Sequence, residues 1–170
     1  IGKSHFSPCF DTLKSVTIES GITEIPPLCF SNCGKITEIK IPASVTNIGE
    51  SAFSGTSLKN LEIPNGVQTI GKAAFSNTRL VNVSVPASVT TIGEDAFVAQ
   101  ATTNVTLNKK TNEISGSPWG ATGTITWLIR VTRLEATHMP TKARYFVGET
   151  FDSTGLVITV YYNDNTSEQV

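Results

Sequence analysis

The sequence predicts a mainly β fold: a short solenoid of 22-residue repeats over residues 1–128, followed by part of a β-sandwich over residues 129–170. Three observations carry this prediction. Leu58-Lys59-Asn60-Leu61-Glu62-Ile63-Pro64 returns 22 residues later as Leu80-Val81-Asn82-Val83-Ser84-Val85-Pro86. Ile70-Gly71-Lys72-Ala73-Ala74-Phe75 returns at the same interval as Ile92-Gly93-Glu94-Asp95-Ala96-Phe97. Beyond Trp127 the period vanishes, replaced by short runs of β-branched and aromatic residues between turn formers.

Each block holds the same physical units in order. Leu-x-x-Leu-x-Ile reads as a short strand with alternate residues inward, and Pro, which has no N–H for a ladder, ends it. Val-x-x-Ile-Gly is a second inward stretch, with Gly expected to supply a turn that other residues resist. Ala-Phe then fills the interior on the convex side, Ala leaving room for the neighbouring ring. The block from Ile36 keeps the pattern through Ile39, Ile41, Val45, Ile48, Ala52 and Phe53. An earlier block runs from Leu13 through Val16, Ile18, Ile22, Ile25, Cys29 and Phe30, with one extra residue before Ile36. Val105, Leu107, Ile114 and Trp119 fall in the slots of Val83, Val85, Ile92 and Phe97. A degenerate fifth block is therefore expected to end on Trp119, plugging the solenoid, with Trp127 extending the plug. Ile1–Phe6 matches Ile70–Phe75, so the sequence is expected to open inside a repeat of a longer array. One block alone cannot offset its ordering entropy; stacked blocks share their faces and can.

The string Leu-x-x-Leu-x-Ile-Pro-x-x-Val-x-x-Ile-Gly-x-x-Ala-Phe, in three close and two degraded copies, resembles the BspA-type leucine-rich repeat of bacterial cell-surface proteins. The resemblance implies a leucine-rich-repeat solenoid, an extracellular place on a bacterial surface and an adhesin-like role. In the C-terminal part, Gly155–Tyr162 reads as a strand and Asn163-Asp164-Asn165-Thr166 as a hairpin turn. Lys142-x-x-Tyr145-x-Val147-Gly148-Glu149-x-Phe151-Asp152-x-x-Gly155-Leu156-x-Ile158 resembles the opening half of a bacterial Ig-like domain. The implied fold class is thus a short solenoid followed by a partial Ig-like β-sandwich. Half a sandwich exposes an apolar face and an open edge. Either the sequence is a truncated piece, or these strands pack on the solenoid end or on another chain, including by self-association.

The net charge of −1 lacks the basic footprint of a nucleic-acid or anionic-membrane binder. No apolar run approaches the roughly 18 residues of a spanning helix, so no direct membrane insertion is expected. Cys9 and Cys33 each follow a repeat Phe by three residues, in a slot held later by Thr56, Thr78 and Gln100. Neighbouring rungs lie about 5 Å apart, which allows a disulfide or two buried thiols in a polar ladder. Cys29 takes the Ala slot and reads as a small core filler, while nothing orients His5 toward a reactive thiol. His138 stands apart from other metal ligands, and Glu149 with Asp152 lacks a calcium-loop spacing and reads as turn capping. The triplets at Asn82, Asn104 and Asn165 match a short acceptor pattern that a Thr-rich chain produces by chance. No phosphate loop, Ser-His-Asp set or carboxylate pair emerges. The expectation is no enzyme, no cofactor and no metal site.

The outward slots on the strand face are Ser15 and Thr17, Glu38 and Lys40, Asn60 and Glu62, Asn82 and Ser84, and Asn104 and Thr106. The candidate partner-binding set is Asn60, Glu62, Asn82, Ser84, Asn104 and Thr106, facing a protein or host extracellular-matrix ligand. The competing reading of this face is a solubilising polar surface, since it lacks the Trp, Tyr or Arg that usually anchor an interface. At the level of the whole protein, the adhesin-like module competes with a stalk or spacer and with an accessory region of a surface enzyme.

Overall fold

The computed structural model describes residues 12–100, 102–110, 113–129, 131–138, 140–141 and 153–170. The Ile1–Phe6 match, His5, Cys9 and most of the Ig-like string, including Glu149 and Asp152, lie outside those residues. The chain divides into two compact units, Ile1–Leu128 and Ile129–Val170.

In the first unit the strands are β1 (Ser15–Thr17), β2 (Glu24–Ile25), β3 (Glu38–Lys40), β4 (Asn47–Ile48), β5 (Asn60–Glu62), β6 (Thr69–Ile70), β7 (Asn82–Val85), β8 (Thr91–Ile92), β9 (Asn104–Lys110) and β10 (Ile125–Ile129). From β1 to β9, odd and even strands go to different walls of the coil. β1 pairs with β3, and β5, β7 and β9 form a parallel ladder with β10 beside β9. On the other wall β2, β4, β6 and β8 pair in parallel order. The register steps by whole repeats: Asn60 faces Asn82, which faces Asn104.

The apolar slots turn inward as the period requires. Leu58, Leu61, Ile63, Val67, Ile70, Ala74 and Phe75 of one repeat are all buried. Phe30, Phe53, Phe75 and Phe97 stack with centroids 5.4, 5.4 and 6.0 Å apart and planes within 9° of parallel. Each repeat Pro ends its strand and then accepts the N–H of the Val three residues on, as Pro42 does for Val45 at 3.1 Å. This closes the bend between the two walls.

The glycine after the repeat Ile acts differently from the sequence expectation. Gly49, Gly71 and Gly93 are absent from the positive-φ residues; the left-handed turn falls two residues later, at Ser51, Ala73 and Asp95 (φ 52°, 51° and 57°). What demands glycine is crowding. A Cβ on Gly71 would lie 2.6 Å from the Glu50 nitrogen and 2.7 Å from the Gly49 carbon, both backbone atoms of the previous coil. The non-glycine left-handed residues are held by bonds from their own N–H groups, Ser51 to the Lys72 carbonyl and Ala73 to the Glu94 carbonyl, both 2.9 Å.

The last coil also departs from the expected register, by one residue. Phe30, Phe53 and Phe75 donate their N–H to the carbonyls of Ala52, Ala74 and Ala96, whereas Phe97 donates to Trp119 at 3.0 Å. Trp119 donates in turn to Gly116, as Ala96 does to Gly93. Trp119 therefore holds the Ala slot, with Gly120 in the Phe slot, because one residue has been inserted before Gly116. Its ring is still buried at 2% exposure, its Nε1 donates to the Ser115 carbonyl, and Trp127 meets it edge-on at 6.3 Å.

The polar ladder behind the rings is shorter than expected. Thr56 and Thr78 are buried and donate back to the Phe53 and Phe75 carbonyls at 2.8 Å, with Cys33 buried in the same slot. Gln100 is exposed, since its amide is too long for that slot, and Thr103 is buried nearby, bonded to the Leu80 carbonyl. Cys29 is half-buried where Ala52, Ala74 and Ala96 are sealed.

In the second unit β11 (Val131–His138), β12 (Val157–Tyr162) and β13 (Ser167–Gln169) form an antiparallel sheet with β12 central. The expected hairpin is present between β12 and β13: Asp164 Oδ1 accepts from the Thr166 N–H and hydroxyl, and Asn165 takes φ 65°. Arg133 lies 4.0 Å over the Tyr161 ring, whose hydroxyl donates to Glu135. Among the described residues this unit holds a single sheet, where a sandwich has two.

Candidate partner-binding face

Period-2 alternation positions the candidate site. With Leu61 and Val83 turned into the core, Asn60, Glu62, Asn82 and Ser84 must point out. Repeated over successive strands, this makes two parallel rows of polar side chains about 5 Å apart from rung to rung. The face is dished enough to hold a groove of about 990 Å³ whose walls include Asn60, Glu62, Asn82, Ser84 and Thr106. Five of the six candidate residues are thus brought to one groove. The sixth, Asn104, is half-buried and engaged in structure: its Oδ1 accepts the Thr124 N–H at 2.9 Å, and its Nδ2 donates to Asn82 Oδ1 at 3.0 Å.

The regular coils invite comparison with known repeat proteins. A model of the BspA type leucine rich repeat region matches residues 1–122 in six copies. The chain belongs to the BspA-type leucine-rich-repeat family. A crystal structure of a leucine-rich repeat protein from Bacteroides ovatus is 33% identical and superposes with a TM-score of 0.52. That match covers 56% of this chain and 25% of the other, so the chain spans about a quarter of that protein's length. No functionally curated protein matches the chain.

Within the BspA-type array the groove also takes in Glu38, Lys40 and Lys59, together with the half-buried Val16 and Ile39. Glu38 and Lys40 are outward strand positions and were visible as such. Lys59 sits one residue before β5, outside the strand positions from which the outward residues were read, and lines the groove as Thr37 does one repeat earlier. With Glu62 these make four charges that sum to zero, and among the described residues none of them is in an ion pair.

Away from the groove, Lys72 Nζ meets Glu94 Oε2 at 2.6 Å on successive coils. The hydrogen bond to Glu94 and its charge raise the Lys72 pKa, and the same bond and charge lower that of Glu94. Burial pushes the Cys29 thiol up, with Cys33 adding to the shift, so Cys29 is not an activated nucleophile. His138 lies on exposed β11, and among the described residues no three His, Cys, Asp or Glu side chains come together to hold a metal. No helix among them is long and apolar enough to cross a membrane.

Proposed function

We propose that this chain is a non-catalytic, adhesin-like interaction module of a bacterial surface protein, binding a protein or host-matrix partner through the strand face of its repeats. The observation that supports this most is the single groove shared by Asn60, Glu62, Asn82, Ser84 and Thr106. A stack of identical coils cemented by parallel Phe rings is stiff, so the groove is pre-organised and little ordering entropy opposes binding. The second unit, read as part of an Ig-like stalk, offers edge strands β11 and β13 through which it pairs with neighbouring segments or with a second copy. Several such modules in one protein would add modest affinities into avidity.

The test is direct. The chain is immobilised and screened against matrix proteins and glycans, then rescreened after Asn60→Arg and Asn82→Arg, which fill the groove without touching the core. Loss of a saturable signal supports the face as the site; an unchanged signal rejects it. The regular Phe stack also suits a plain spacer, and that reading prevails if no probe binds the unsubstituted chain.

A further inference from the structure

Asn82 has a fixed polarity. The backbone N–H of Thr124 has no choice of role: it donates, so the Asn104 atom it meets at 2.9 Å is the carbonyl oxygen. The other end of that amide, Nδ2, must then be what reaches Asn82 at 3.0 Å, and Asn82 meets it with Oδ1. Asn82 is left presenting its NH₂ group, a double donor, to the groove. A rigid backbone bond has thus been relayed across two rungs to set a donor where an amide alone would be free to flip.

Beside that donor stand four charges without ion-pair partners. Glu38 and Lys40 flank one strand, and Lys59 and Glu62 flank the next. Lys40 and Glu62 hold equivalent slots of successive repeats, so a positive and a negative site follow one another along the groove. A polyanion gains nothing from a set that sums to zero, and a neutral glycan would leave the charges unanswered and find no aromatic platform among the groove residues. A polypeptide carries carbonyl acceptors at every residue and side chains of both signs. The five rungs from β1 to β9 span about 19 Å, the reach of about six extended residues.

Resting on the strand-face reading above, we infer that the groove takes an extended polypeptide segment of about six residues carrying both an acidic and a basic side chain. Asn82 donates to a main-chain carbonyl of the segment, Lys40 and Lys59 receive its acid, and Glu38 and Glu62 receive its base.

The experiment uses the whole chain against arrays of ten-residue peptides in zwitterionic, polyanionic and neutral sets, with a neutral glycan array alongside. The zwitterionic set should bind saturably. Asn82→Asp keeps the bond from Asn104 but replaces the donor with an acceptor, and should weaken binding about tenfold. The double exchange Lys40→Glu with Glu62→Lys should invert the preferred order of acid and base in the peptide. All these positions are exposed on the strand face, and matching urea midpoints establish that the variants fold. Stronger binding of polyanionic peptides or of glycans, with an affinity that Asn60→Arg changes in either direction, overturns the zwitterionic-peptide inference while the strand-face reading survives. Zwitterionic peptides that bind equally to the Asn60→Arg, Asn82→Asp and exchanged chains overturn both. No binding by any probe overturns the inference.

Discussion

Replacing Gly71 with Ala adds one methyl group, and its cost follows from where that group would sit. The new Cβ would lie 2.6 Å from the Glu50 nitrogen, 2.7 Å from the Gly49 carbon and 3.0 Å from the Glu50 Cα. Ordinary van der Waals contact begins near 3.4 Å, so the two coils must separate locally by several tenths of an ångström. The atoms in the way are main chain, which cannot rotate aside as a side chain would. Two bonds cross this junction: Gly71 N–H to the Ile48 carbonyl at 2.8 Å, and Ser51 N–H to the Lys72 carbonyl at 2.9 Å. Overpacking a tight interior costs about 1–3 kcal/mol, and stretching a rung bond costs about 1 kcal/mol more. We expect Gly71→Ala to destabilise the solenoid by about 2–4 kcal/mol in urea denaturation followed by far-ultraviolet circular dichroism. Gly34→Ala is the control: its Cβ would meet nothing closer than 3.8 Å, and its φ is not positive, so it should be neutral or slightly stabilising. Were Gly71→Ala to cost under about 0.5 kcal/mol, or as little as Gly34→Ala, the close approach of coils would not be what selects glycine here.

Phe75→Ala removes a fully buried ring stacked between Phe53 and Phe97 and should cost about 3–5 kcal/mol, read from the same denaturation curves; under about 1 kcal/mol would contradict the stack. The Lys72–Glu94 pair gives a pH signature. Because the folded state lowers the Glu94 pKa, its contribution is present above the usual carboxylate pKa and is lost as pH falls through the depressed value. Because the Lys72 pKa is raised, its contribution is present below the usual lysine pKa and is lost as pH rises through the raised value. Both side chains are exposed, so the effect is small and screened by salt. In low salt, the wild-type melting temperature should fall more on acidification than that of Glu94→Gln, and high salt should erase the difference.

The strand face was legible in the sequence. Period 22 with period-2 alternation inside each block places Asn60, Glu62, Asn82 and Ser84 outward whatever the detailed path of the chain, because side chains on a strand have only two faces. The same regularity foretold the buried Phe column, and local turn chemistry, independent of the repeat, foretold the hairpin at Asn163–Thr166. Identical spacing cannot reveal contacts between coils. Gly71 looked like a turn residue, yet its backbone is unremarkable, and the demand for glycine comes from a chain segment 21 residues earlier. Trp119 counted into the Phe slot, but only the carbonyl accepting from Phe97 exposes the one-residue insertion that moves it to the Ala slot. Asn104 belonged to an Asn column that sequence treats as three equal members. Its place at the last rungs of the ladder puts Thr124 within reach, which spends its amide on structure and polarises Asn82. Sequence thus determined which residues face in and which face out, since that depends on local periodicity. The tertiary structure decided which of the outward residues keep a free hydrogen-bonding group, since that depends on what the next coil brings beside them.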